Sequence, residues 1–184
     1  MNDDTLRIRP GGPADTPAML AMMDAAVIWM NARGNTEQWG TQPYSQRPGG
    51  AARIEQLMAG GAPHIAELGG EPVGAMVLDS GPSAEMPIAP ADEPELYVRL
   101  LVSDRRHAGR GIGATLLALA VEETRRAGAE LLRVDCWAGG GGQLVGYYVR
   151  NGFTPAEPFR YEAWPGQVLA MRVPRANPGE PAVT

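Results

Sequence analysis

Val102-Ser103-Asp104-Arg105-Arg106-His107-Ala108-Gly109-Arg110-Gly111-Ile112-Gly113-Ala114 joins a segment that alternates like a strand to one that repeats like a helix. A helix start leaves up to four backbone N–H groups without partners. No Ser, Thr, Asp or Asn lies between His107 and Ala114 to cap them, an omission worth ~1 kcal/mol. A phosphate can supply the missing acceptors, drawn by the same amides and by the helix dipole. Glycines let it approach by removing Cβ atoms. Residues 108–114 (Ala108, Gly109, Arg110, Gly111, Ile112, Gly113, Ala114) are therefore the candidate diphosphate cradle, the alternative being a flexible turn before a tight helix start. Gly109 to Ala114 also fits G-x-G-x-x-A, with Asp135 24 residues beyond Gly111. A dinucleotide fold is nevertheless disfavoured, because six residues separate Val102 from Gly109 and about 70 residues remain for a doubly wound sheet.

Outward from the loop, Leu96, Val98, Leu100 and Val102 share one parity and Glu95, Tyr97 and Arg99 the other, predicting a strand with one buried and one open face. Gly111 to Ala127 predicts a helix stopped by Gly128, with Glu122 and Arg126 as an i,i+4 pair. Leu131–Trp137 is the next strand. Gly139–Gly142 break the chain, Gln143–Arg150 is a short helix, and strands near Phe153–Tyr161 and Gln167–Val173 close the domain. Upstream, Leu6–Arg9 reads as a strand. A Met stripe (Met19, Met22, Met23, Met30, with Ala26 and Val27) marks a core-facing helix before Gly34. Asn35–Gly50 reads as a loop, Ala51–Ala59 as a helix, and His64–Leu68 with Val73–Leu78 as a hairpin about Gly69-Gly70. Ser80–Pro94, with four prolines, is a loop that is either a lid or mobile. One domain over residues 1–173 and a disordered tail over 174–184 are expected.

Composition removes several classes of chemistry. The 16 basic residues are all Arg, so Schiff-base chemistry and a phosphate-binding Lys are absent. Two His and one Cys cannot make a four-ligand zinc site, nor one Cys an internal disulfide. No metal is expected. A net charge of −5 disfavours nucleic acid and anionic membranes as partners. No signal-like or ~18-residue apolar run occurs, which predicts a cytoplasmic protein.

In motif and in element order, Leu6 to Val173 resembles the GNAT superfamily of acyl-CoA-dependent N-acyltransferases. Its pyrophosphate signature, Gln/Arg-x-x-Gly-x-Gly/Ala, falls on Ala108-Gly109-Arg110-Gly111-Ile112-Gly113, with Ala108 departing at the first position; Arg106 fits in a shifted register. A second signature, a Tyr before Gly-Phe, matches Tyr148-Val149-Arg150-Asn151-Gly152-Phe153, while the Asn often found earlier is lost within Gly139–Gly142. The resemblance implies an α/β fold of the α+β type. Its single domain has a mixed, mostly antiparallel sheet flanked by helices and splayed at the strand before the glycine loop.

It also implies acetyl-CoA as cosubstrate and direct acetyl transfer to a primary amine, on a small molecule or a peptide, in a ternary complex. A lysine-like amine is neutral in only about 1 in 2,500 molecules at pH 7, a deficit of about 4.6 kcal/mol, so a proton acceptor is needed. By family position Glu95 is that acceptor; a solvated strand-end carboxylate is the equal alternative. A backbone N–H near Leu101 or Val102 stabilises the oxyanion and Tyr148 protonates the thiolate. Trp39, Tyr161 and Trp164 line the acceptor side or merely pack, and Arg105 or Arg106 meets a coenzyme phosphate or solvent. Cys136 reads as buried and inert, His64 as structural and His107 as exposed. A homodimer is compatible. The competing function is a catalytically silent acyl-CoA-binding domain.

Overall fold

Gly69 and Gly70 both stand at positive φ (58° and 86°) and turn the chain between β2 (Ala62–Leu68) and β3 (Glu71–Asp79) in two residues. The structure, a computed structural model, describes residues 5–175; the expected tail beyond Arg175 lies outside them. The remaining elements are β1 (Leu6–Pro10), α1 (Thr16–Asn31), α2 (Gly50–Gly60), β4 (Glu95–Ser103), α3 (Ile112–Arg126), β5 (Leu131–Trp137), α4 (Gln143–Arg150), β6 (Thr154–Tyr161) and β7 (Trp164–Arg172). Among the described residues they form one seven-stranded sheet in the order β1-β2-β3-β4-β5-β7-β6, in which β4 and β5 run parallel and the other neighbours antiparallel.

Strand alternation divides the core in two. Ala66, Met76, Leu78, Val98, Leu132, Val134 and Leu169 pack with Ile112, Leu116 and Tyr148 under α3 and α4. Ile65, Ala75, Val77 and Val102 pack against Met19, Met22, Met23 and Met58 of α1 and α2. The Met stripe is thus core, its flexible side chains filling the space beneath two short helices.

Both faces of β4 are covered, contrary to the expectation of one open face. Val77 pairs with Leu100 but Leu78 with Val98, so Arg99 is an extra residue, a β-bulge. The bulge inverts the parity: Val98 faces α3, whereas Leu100 and Val102 face α1 and α2.

The ion pairs on α3 also differ from expectation. Glu122 pairs with Arg125, and Glu123 with Arg126 at 2.5 Å, each one position closer than i,i+4. The 80–94 segment is tethered rather than loose. Ile88 is buried, Arg133 Nη2 donates to the Ala89 carbonyl (3.1 Å), and Glu93 pairs with Arg172. Among the described residues, no helix is long and apolar enough to cross a membrane, and no group of three His, Cys, Asp or Glu is placed to hold a metal ion.

Candidate active site

The parallel ladder between β4 and β5 ends at Val98 opposite Val134. Beyond it β4 continues to Ser103 with pairing to β3, and β5 to Trp137 with pairing to β7. The sheet therefore opens into a gap beginning at the Arg99 bulge. Leu101 and Val102 line its β4 side.

The start of α3 is set beside this gap. Ile112 packs so closely on β3 that a Cβ on Gly74 would stand 2.5 Å from its Cγ2. Gly109 and Gly111 lie at φ 82° and 72°, where side chains are strained, although open space surrounds both. Gly111 caps α3 without any side-chain bond, and the first return bond is Thr115 N–H to the Gly111 carbonyl at 2.9 Å. The amides of Ile112, Gly113 and Ala114 thus precede the helical ladder. Two amides of the expected 108–114 cradle are already engaged, that of Ala108 donating to the Arg105 carbonyl and that of Arg110 to the His107 carbonyl, both at 3.3 Å.

The basic cluster is partly engaged. Arg106 grips the buried Asp104 carboxylate (2.6 and 2.9 Å), which holds that acid below its usual range. Arg105 lies over the Trp29 ring at 3.7 Å, half-buried, and its Nε has no hydrogen-bond partner among the described residues. His107 is half-buried rather than exposed.

On the other side of the gap, α4 places Tyr148 among Cys136, Tyr147 and Phe153, its ring edge-on to both aromatics. Burial raises the Tyr148 pKa, so the phenol keeps its proton and remains a donor. Burial likewise pushes the Cys136 thiol up to about 12, which leaves it unreactive at neutral pH. The neighbouring Tyr147 reaches across to α3, where its hydroxyl occupies the place a Cβ on Gly113 would take.

An open cleft of about 820 Å³ lies between the segment joining α1 to α2 and the β6–β7 hairpin. Trp39, Tyr44, Trp137, Tyr161 and Trp164 form its aromatic walls. Trp164 Nε1 donates to the Gln38 carbonyl at 2.9 Å and clasps the two walls together. Trp137 stands where the gap of the sheet meets the cleft. Its ring lies against the backbone of Gly139 and Gly140, where side chains would collide with it.

The model of the acetyltransferase (GNAT) family matches residues 25–153. The chain belongs to that family. This GNAT domain also shares its fold with solved structures of low sequence identity. One is a GCN5-related N-acetyltransferase from Rhodopseudomonas palustris, 18% identical over 94% of this chain and 98% of that one, at a TM-score of 0.68. Another is the ribosomal-protein-S18-alanine N-acetyltransferase from Escherichia coli, 14% identical, covering 96% and 99%, at 0.65. A third is a putative acetyltransferase from Salmonella typhimurium solved with acetyl-CoA, 15% identical, covering 96% and 98%, at 0.61. A comparison with curated proteins gave no match. The family match spans the glycine loop, the gap and Tyr148 but ends before the β6–β7 wall of the cleft.

Among the sequence-predicted residues of this GNAT domain, the structure brings Leu101, Gly113 and Tyr148 around the gap, and Trp137, which the sequence marked only as a strand end, joins them from the cleft. Glu95 differs most from expectation. It is buried instead of facing an open surface, and Arg133 takes both its oxygens, Nε to Oε2 at 2.6 Å and Nη2 to Oε1 at 2.7 Å. Asp135, noted in the sequence only as the acid that a dinucleotide fingerprint would use, is the carboxylate beside the gap: it accepts the Tyr97 hydroxyl at 2.8 Å, and burial raises its pKa. The contact joins residues 38 positions apart; its one local signal was that residues 135 and 137 share a strand face.

Proposed function

We propose that the chain transfers an acetyl group from acetyl-CoA to a primary amine, on a small molecule or a peptide, directly within a ternary complex. The observation that carries this is the juxtaposition, across one gap in the sheet, of the uncapped α3 amides and the buried Tyr148 phenol. The amides of Ile112, Gly113 and Ala114 bind the diphosphate, and Gly109 and Gly111 hold the loop that presents them. Leu101 or Val102 offers a backbone N–H to the developing oxyanion, and Tyr148 protonates the departing thiolate. Holding both reactants in one gap removes much of the entropic barrier to attack.

The acceptor enters from the aromatic cleft. Amine acceptors fit with two structural neighbours, the ribosomal-protein-S18-alanine N-acetyltransferase and a putative phosphinothricin N-acetyltransferase. Glu95 contributes by holding Arg133 at the foot of the gap. A cytoplasmic location accompanies this function.

The experiment is an amine panel scored for free thiol released from acetyl-CoA, with Tyr148→Phe as control. Turnover with at least one amine, falling about 10²–10⁴-fold in the variant while acetyl-CoA affinity stays near wild type, is expected. Acetyl-CoA binding without thiol release from any amine would instead identify a silent acyl-CoA-binding domain.

A further inference from the structure

Glu95 on β4 and Asp135 on β5 are the carboxylates of the strands that flank the gap, and Asp79 ends the neighbouring β3; two of these three are already occupied. Glu95 is bound through both oxygens by Arg133. Asp79 accepts from Arg99 at 3.0 Å and from the Ser80 amide at 2.7 Å. Asp135 makes no ion pair among the described residues; one oxygen accepts the Tyr97 hydroxyl. It is the first β5 residue beyond the last β4–β5 pair, so it stands where the gap begins. Leu132, Val134 and Cys136 point toward α3 and α4, which places Asp135 on the opposite face with Trp137, a wall of the acceptor cleft. It also lies near enough to Tyr148 to oppose the ionisation of that phenol.

We infer that Asp135 takes the proton from the acceptor ammonium, with Tyr97 as the residue that positions its carboxylate. The inference rests on the acetyltransferase activity proposed above. The amine reaches the gap past Trp137 and gives one proton to the Asp135 carboxylate. Its nitrogen lone pair attacks the thioester carbonyl, forming the C–N bond. The C–S bond then breaks; Tyr148 protonates the sulfur and recovers a proton from the now-acylated nitrogen. Asp135 returns its proton to water, so the products are the amide, the free thiol and one proton.

The groups facing Asp135 give the pH dependence its sign. From β4, the Tyr97 hydroxyl and the Arg99 cation favour its ionised form, while burial opposes it more strongly. Opposite it on β7 stands the apolar Val168, and behind it on the other face are Cys136 and Tyr148, both neutral at pH 7. The acidic limb of kcat/KM for the amine should therefore follow Asp135. Loss of the Tyr97 donor raises the pKa of Asp135 and moves the limb to higher pH.

The test measures pH profiles of kcat/KM for wild type, Asp135→Asn, Asp135→Glu, Tyr97→Phe and Glu95→Gln, with melting temperature and acetyl-CoA affinity alongside. Asp135→Asn is expected to lose about 10²–10⁴-fold in rate and its acidic limb. It should melt at or above the wild-type temperature, because a neutral amide removes the burial penalty of the carboxylate. Asp135→Glu should recover part of the rate, and Tyr97→Phe should shift the limb upward. An active wild type with Asp135→Asn within threefold of it, an unmoved limb in Tyr97→Phe, or loss of the limb in Glu95→Gln alone would each overturn the assignment while leaving the acetyltransferase activity standing. A wild type that releases no thiol would overturn both.

Discussion

Gly113 has no room for a side chain because the Tyr147 hydroxyl rests where its Cβ would be, while the Tyr147 ring carbon behind the hydroxyl would lie 3.4 Å away. Gly113→Ala should thus cost about 1–3 kcal/mol of stability through overpacking and raise the KM for acetyl-CoA. Adding Tyr147→Phe removes the colliding oxygen and should restore most of both, a coupling visible in a double-mutant cycle of thermal melts and initial rates. The uncapped start of α3 was legible in the sequence as a local pattern, and the family resemblance pointed to Tyr148 through its place before Gly-Phe. Asp135 was not legible. Its role follows from a hydroxyl on another strand and from the end of a ladder, neither of which leaves a mark on neighbouring residues.

Among the elements, β4 shows where periodicity misleads. Its alternation of Leu96, Val98, Leu100 and Val102 predicted a single buried face, but one inserted residue, Arg99, turned half the strand over. A bulge is a property of two strands, so β4 alone cannot announce it. The same strand begins with the buried Glu95–Arg133 pair. Removing one partner leaves the other charge buried, and Glu95→Gln should lose about 3–5 kcal/mol in urea unfolding, whereas Glu95→Met with Arg133→Met should lose far less. The β6–β7 turn carries the reverse opportunity. Glu162 is the one non-glycine at positive φ among the described residues (53°). Glu162→Gly is expected to gain about 0.5–1 kcal/mol, the left-handed strain relieved less the extra entropy of glycine, and to raise the melting temperature by roughly 1–4 °C.

At the scale of the whole molecule, element order and sheet class were readable from the sequence because strands, helices and glycine turns alternate cleanly along it. Of the aromatic cleft, Trp39, Tyr161 and Trp164 were pointed to by the family resemblance, but its closure was not readable, since its walls come from residues 37–47 and 160–165, far apart in the chain and joined by the Trp164–Gln38 hydrogen bond. Trp164→Phe should loosen that clasp and raise the KM for the amine about 3–10-fold, the worth of one hydrogen bond, with the KM for acetyl-CoA unchanged in steady-state kinetics.

The parting of β4 from β5 has a consequence for self-association. Outermost strands invite other chains to extend a sheet, and proline discourages this by withholding a donor. Here β1 ends in Pro10 and β6 contains Pro155 and Pro158, so both rims are blunted. The bare stretch of main chain lies indoors, between two strands and beneath two helices, where a slender extended guest fits and a neighbouring protein's sheet does not.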